Sequence, residues 1–205
     1  MDDGTDHPWH AQIPHQRILG LAEELGLQYQ HRPLGWADPF LKTDDLLRRN
    51  PAGAIPTIID DGFALAESMA ISLYLGKKYG SAGPSPLYPA GLENEATVWR
   101  WSLWAQAHLE PWVQQDLLLA AQVDVIRASL APVVERSLRT LDTALAGKSW
   151  LAMDHFTVAD LNVAGVVSPS RTIHLDMQPY PHVLRWLAAC YDRQAARTTR
   201  TRFAA

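Results

Sequence analysis

The chain has a single cysteine, Cys190, so no disulfide can form within it. That residue sits in the apolar stretch Trp186-Leu-Ala-Ala-Cys190, which predicts a buried, inert thiol rather than a nucleophile. No apolar run approaches the ~20 residues needed to span a bilayer. The start, MDDGTDHPWHAQ, is acidic and has no apolar core of the kind a signal peptide carries, so a soluble cytoplasmic protein is expected. Positive charge is scarce as well. Residues 1–80 carry 7 basic and 11 acidic side chains, residues 81–205 carry 11 of each, and the net charge is −4. Without a broad basic field, nucleic acid is excluded as the main partner. The four arginines Arg193, Arg197, Arg200 and Arg202 read as a solvated helix end. Side-chain hydroxyls are missing from the start too: before Tyr29 the only one is on Thr5.

What the chain does have is 47% hydrophobic and 20% charged residues, enough for a real core. Gly80-Ser-Ala-Gly-Pro-Ser-Pro-Leu-Tyr-Pro89 is the clearest interruption. It divides the chain into a first unit, 1–80, a linker, 81–91, and a second unit, 92–205. In the first unit Ile18, Leu21, Ala22 and Leu25 share a helical face over residues 14–25, and Gly26 supplies a stop. Gln28–Arg32 reads as a short strand and Asp44–Arg49 as a helix ended by Pro51. Ile55–Ile59 is strand-like. Asp61-Gly62 is a two-residue hairpin signal, after which Phe63–Leu65 pairs back. Glu67 to Tyr79 is then an amphipathic helix. A strand should precede the first helix to centre such a sheet, but residues 1–12 make a poor one.

Beyond the linker everything reads as helix. Glu93–Leu119 is long and rich in tryptophan, with a kink expected at Pro111. Val123–Ala146 follows and stops at Gly147. Thr157-Val-Ala-Asp160 is an acidic capping box, flanked by Phe156 and Leu161 as a hydrophobic staple. Its role is in folding. Tyr180-Pro181 opens a last helix, with Val183, Trp186, Leu187 and Cys190 facing inward.

The segment from Asn50 to Tyr79, with Ser85–Pro89, Trp150–Asp160 and Tyr180–Arg193, resembles the glutathione transferase family over nearly the whole chain. That resemblance implies an α/β thioredoxin-like N-terminal domain, here with a degenerate or missing first strand, and an all-α C-terminal domain. Ile55-Pro56 matches the family's cis-proline position, where the preceding residue's backbone pairs with the cysteinyl amide of glutathione as an added strand would. Glu67 and Ser68 match the pair at the start of the third helix. There the hydroxyl and the free amides of the helix hold the γ-glutamyl carboxylate, and the acid takes the ammonium group. Glutathione is thus the implied co-substrate. Read without the family, Glu67-Ser68 is a plain helix start.

The chain departs from the family where a tyrosine, serine or cysteine usually activates the thiol. Alignment of the first helix puts that place at about Gln12–His15, with His10 just outside. His10, Gln12 and His15 are the candidates to donate a hydrogen bond to the sulfur or to act as a base near neutrality. Some branches of the family use an amide or threonine instead of the usual hydroxyl. Each of the three also reads as an exposed polar residue near the chain start. A zinc site from His7, His10 and His15 matches no common ligand spacing, so no metal is expected. Gly53, Ala54 and Met69 stand where other branches place polar or basic contacts.

The electrophile's wall should come from the inner face of Glu93–Leu119, with Trp101, Trp104, His108 and Trp112 as candidates. The same aromatics serve equally as core. The first expectation is an enzyme that uses the glutathione thiol on a small hydrophobic electrophile, by conjugation or isomerisation. The alternatives are a glutathione-dependent reductase of disulfides or peroxides, a non-catalytic interaction module, and a biosynthetic enzyme that abandoned glutathione. Retention on immobilised glutathione separates the enzymes that use it from the module. The family resemblance also implies a homodimer.

Overall fold

A computed structural model describes the backbone of residues 13–35, 37–113, 124–168 and 175–202, and their side chains except for 13–15 and 124–130. Apolar spacing becomes helix first in α1 (Ile13–Glu24), where Ile18, Leu21 and Ala22 are buried. Gly26 takes φ 62°, and Leu27 N–H returns to Ala22 O at 2.9 Å, so the helix closes in a left-handed cap that glycine adopts without strain.

The segment Gln28–Arg32, expected as a strand, is paired in no sheet among the described residues. Gln28, Gln30, His31 and Arg32 are exposed, so no apolar face holds it. Its side chains turn to local partners instead. Tyr29 Oη donates to Glu23 Oε1 at 2.8 Å, and the Arg32 guanidinium lies 3.8 Å from the centre of the Phe40 ring. The expected poor first strand, residues 1–12, lies outside the described residues.

After α2 (Asp44–Arg49) come β1 (Thr57–Asp60) and β2 (Phe63–Ala66), the only sheet among the described residues. The pair is antiparallel, closed by Asp60↔Phe63 and running to Thr57↔Ala66. Asp61 and Gly62 have φ 50° and 84°, the two positive values that a type I′ turn needs. The hairpin is fastened to α3 (Ser68–Tyr79) by charge: Lys78 Nζ donates to Asp60 Oδ2 at 2.8 Å and Asp61 Oδ2 at 2.9 Å. Tyr74 and Tyr79 also donate to the Asp60 carboxylate.

The remaining elements are helical. They are α4 (Leu92–Trp104), α5 (Asp124–Ala144), α6 (Val158–Val166), α7 (Pro181–Asp192) and α8 (Gln194–Arg202). Val98, Leu109, Leu138, Leu141, Val163 and Trp186 meet in their common core. Asp160, fully buried, ties three segments together. It accepts from Thr157 N–H and Oγ1–H, from Leu151 N–H and from Trp186 Nε1–H, all within 3.1 Å. The capping box is therefore also a joint between α6, α7 and the loop at Leu151.

Two expectations change here. The helix at Tyr180-Pro181 is not the last, because α8 follows. The four arginines are not a merely solvated end. Arg193 grips Glu24 of α1 with both Nε and Nη2 at 2.7 Å, and Arg202 reaches Glu23 at 2.7 Å. Arg197 pairs with Asp192, and Arg200 caps the Tyr191 carbonyl. With only Ala195 and Thr199 buried, α8 is held on α1 largely by ion pairs.

Candidate functional site

Asn50 is buried at 4% exposure and spans the loop before β1. Its Nδ2 donates to Ala54 O at 2.8 Å and Thr57 Oγ1 at 3.0 Å, while its Oδ1 accepts from Ala52 N–H at 3.1 Å. An amide has donors and an acceptor on one plane, so one side chain fixes both limbs of the loop. Gly53 inside it has φ 58°, and a Cβ there would lie 2.8 Å from Leu41 O. Only glycine fits, which explains why no polar side chain is available at that position. The Ile55–Pro56 peptide bond that follows is cis.

The ladder register then brings two distant stretches together. Because Thr57 pairs with Ala66, Pro56 arrives beside Glu67 and the start of α3. Glu67 is exposed and has φ 69° with ψ 111°, a conformation that L-residues seldom adopt and that tends to mark sites of function. The first helical bond of α3 runs from Ile71 N–H to Glu67 O at 2.9 Å. The N–H groups of Ser68, Met69 and Ala70 therefore have no acceptor within the helix, and they carry the positive end of its dipole. Met69 itself is 2% exposed and belongs to the core.

Ser68 is half-buried, and its Oγ accepts from Arg17 Nη1 at 2.8 Å. Arginine has no acceptor, so the serine hydroxyl must receive this bond, and its own proton remains to be donated. Arg17 comes from α1, is 4% exposed, and places Nη2 3.2 Å from Glu110 Oε1. Gly165 of α6 makes room for it: a Cβ there would stand 3.1 Å from Arg17 Nε. The site thus has a hydroxyl donor, free helix amides and a buried guanidinium on one side, with the exposed carboxylate of Glu67 at its edge. Such a set suits a small zwitterion whose carboxylate and ammonium groups lie close together.

Of the residues singled out in the sequence, Ile55, Pro56, Glu67 and Ser68 are brought together by the hairpin. His10 and Gln12 lie outside the described residues, and for His15 only the backbone, in the first turn of α1, is described. Among the described residues no group of three potential metal ligands comes together. Trp101, Trp104 and Trp112 belong to or pack against one core, and His108 does not. Trp101 is buried and meets Trp104 edge-on at 5.4 Å; Trp104 and Trp112 are half-buried; His108 is exposed. Between Trp104 and Trp112 lies a single π turn, Ala105–Leu109, in which Glu110 N–H reaches back five residues to Ala105 O. The extra residue rotates everything after it by about 100° relative to an unbroken helix. It stands just before Pro111, whose ring and missing N–H disfavour a regular turn. The kink expected at Pro111 is thus taken up as this bulge.

Sequence reasoning missed Asn50 and Arg17. Arg17 had one signal: it shares a helical face with Leu21, four residues on and fully buried, and a cation on such a face needs a partner. The identity of that partner is not readable locally.

The pattern of the glutathione S-transferase N-terminal domain matches residues 15–78, and that of the glutathione S-transferase C-terminal domain matches residues 107–189. The chain belongs to the glutathione S-transferase family. It is 30% identical over 184 residues to glutathione S-transferase D7 of Anopheles gambiae, covering 87% of this chain and 82% of that one. It is 29% identical over 171 residues to glutathione S-transferase D7 of Drosophila melanogaster, covering 83% and 76%. Its fold is similar to that of the glutathione transferase URE2P6 from Phanerochaete chrysosporium, solved in complex with oxidized glutathione, with a TM-score of 0.85 at 22% identity over 95% of this chain and 93% of that one. The architecture is accordingly a thioredoxin-like α/β domain followed by an all-α domain.

Proposed function

We propose that the protein is an enzyme that binds glutathione and directs its sulfur onto a small hydrophobic electrophile. The observation that carries this reading is the convergence of the Ile55–Pro56 loop with Ser68 and its bond from Arg17. In this reading the γ-glutamyl carboxylate takes the Ser68 hydroxyl proton and the open amides of α3, and the Arg17 charge behind them strengthens both. Glu67 takes the ammonium group. The backbone of Ile55, just beyond the end of the ladder, pairs with the cysteinyl amide as an added strand does. His10, Gln12 and His15 are the groups assigned to the sulfur, and Trp101, Trp104, His108 and Trp112 those assigned to the electrophile.

The thiol gives up its proton to the imidazole of His10 or His15, and the thiolate attacks an electrophilic carbon. A carbon–sulfur bond forms, and the leaving group departs with its electron pair. In an isomerisation the thiolate instead adds to an unsaturated carbon with no group lost, and the sulfur later leaves again with the electron pair of the carbon–sulfur bond. The relatives named glutathione S-transferases support conjugation as the first chemistry to assay. The fold neighbour that holds oxidized glutathione makes disulfide reduction the second. The reading includes a cytoplasmic homodimer, for which the exposed Ile59, Phe63 and Leu103 offer apolar surface.

Calorimetry with glutathione tests the site directly. The wild type should bind, and Ser68→Ala should lose roughly 1.5–3 kcal/mol, the worth of a hydrogen bond to a charged group. Absence of binding heat in the wild type overturns the enzyme reading.

A further inference from the structure

α1, α6, α7 and α8 enclose a cavity of about 100 Å3. Phe156, Leu161, Ala164 and Cys190 form its apolar part. Burial pushes the Cys190 thiol well above its usual range, so that side chain stays uncharged. Gln16, Ser168, Thr199 and Tyr191 add polar walls, and Arg17, Glu24 and Arg200 supply the charges. Two of these three charges are matched. Glu24 receives both Nε and Nη2 of Arg193, and Arg17 lies 3.2 Å from Glu110. Arg200 meets no carboxylate among the described residues, so the wall carries one surplus positive charge. That guanidinium is also held in place. Its Nη2 donates to Tyr191 O at 2.8 Å, and it lies 5.4 Å from the centre of the Tyr191 ring. The rest of the fork stays open to an acceptor. Every other residue of the wall is buried or half-buried, whereas Arg200 is exposed, so the cavity opens beside its guanidinium.

A mouth with one fixed cation that leads to an apolar floor suits a small amphiphilic anion. Its carboxylate stays at the rim, where it pairs with a fork of donors and keeps part of its hydration. Only the hydrocarbon tail leaves water entirely, and that transfer is favourable. Apolar cavities of about 150 Å3 accept benzene, so the smaller space here suits a tail of about three carbons.

We propose that this cavity binds a short-chain aliphatic monocarboxylate, with its carboxylate on Arg200 and its tail against Phe156, Leu161, Ala164 and Cys190. Arg17 belongs to the same wall and also donates to Ser68, so this site and the proposed glutathione site share one guanidinium. Two anions then draw on one cation, and each weakens the binding of the other by the same factor. This coupling rests on the glutathione reading; the binding of the carboxylate does not.

The test is a 19F NMR titration of the full chain with 4,4,4-trifluorobutyrate, with 4,4,4-trifluorobutanamide as the uncharged analogue. Without glutathione, the wild type should bind the carboxylate saturably, with a dissociation constant on the order of 1 mM, as suits so small a ligand. The amide should bind about tenfold more weakly or worse. Two variants place the ligand. Arg200→Gln removes an exposed charge at the rim and should weaken the carboxylate about tenfold, with Arg200→Lys recovering part of the loss. A Cβ at Gly20 would meet only Thr199 Oγ1, at 3.8 Å, so Gly20→Ala puts a methyl group into the cavity without a clash. It should weaken binding by about threefold or more. No saturable binding in the wild type, equal binding of the two probes, or unchanged affinity in Gly20→Ala overturns the site. Unchanged affinity in Arg200→Gln overturns the placing of the carboxylate. At saturating glutathione the wild-type dissociation constant should rise by about twofold or more. An unchanged value overturns the coupling. If glutathione itself gives no binding heat, the coupling falls with the reading it rests on, and the carboxylate site stands on its own titration.

Discussion

Arg17 donates to Ser68 Oγ over 2.8 Å, although 51 residues separate them. The contact joins the first helix to the amide-rich start of the third and fixes which way the serine proton points. Arg17→Lys keeps the charge but cannot fork between Ser68 and Glu110. It should weaken glutathione binding by about tenfold, and calorimetry on the folded variant reads it. Arg17→Ala should instead destabilise the fold by about 3–5 kcal/mol, because Glu110 loses its cation in a partly buried place. Urea unfolding checks that value.

Asp160 serves four donors with one buried carboxylate. Asp160→Ala leaves the Leu151 and Thr157 N–H groups and the Trp186 indole N–H without an acceptor. The cost should be about 2–4 kcal/mol, since unmet buried donors lose their full desolvation energy. A fall of the urea midpoint with an unchanged m-value is the expected signature. Trp186 fluorescence should shift as its indole loses the bond.

Acid should undo the fastening of the hairpin. Lys78 Nζ first, then the Tyr79 and Tyr74 hydroxyls, hold the Asp60 carboxyl below its ordinary value of 3.8. A folded value lower than the unfolded one gives stability that is complete above 3.8 and is lost as pH falls through the folded value. The melting temperature of Asp60→Asn should therefore lie below that of the wild type by a constant amount near neutrality. The gap should close below about pH 4, with scanning calorimetry as the measurement.

The grip of Arg193 on Glu24 is bidentate, with the Glu24 carboxylate largely buried. Arg193→Gln should cost roughly 1–3 kcal/mol. Arg193→Lys should recover only part of that, because an ammonium is a point charge and not a fork. Limited proteolysis should then cut first within α8, whose buried residues are few.

Cys190 should be silent in the folded chain. Its thiol lies in the core of α7, with a proton affinity raised by burial. A chromogenic disulfide reagent at about pH 8 should find no reactive thiol in native protein. In denaturant it should find one per chain, as the composition requires.

Local chemistry was legible; long-range partnership was not. Asp61-Gly62, Thr157–Asp160 and Tyr180-Pro181 each announce a turn, a cap or a helix start through residues a few positions apart, and each forms as read. Gln28–Arg32, read as a strand, pairs with nothing among the described residues, since strand propensity alone does not make a ladder. The π turn at Ala105–Leu109 was not legible, because helical spacing assumes 3.6 residues per turn and no local residue pattern announces the extra one. Arg193 and Arg202 looked solvated because their partners, Glu24 and Glu23, lie at the other end of the sequence. The Ile55–Ser68 half of the candidate site was visible in one contiguous segment. Its support, Asn50 and Arg17, became visible only with the fold in hand.

The notch at Gly165 ties the histories of two helices together. While arginine occupies position 17, even the smallest side chain at 165 would crowd its guanidinium and tug at the serine beyond it. A lineage could widen that helix only after surrendering the cation, so the order in which mutations arrive matters as much as their identity. Anyone recombining the two halves of this chain with those of a relative would meet the same constraint at the seam.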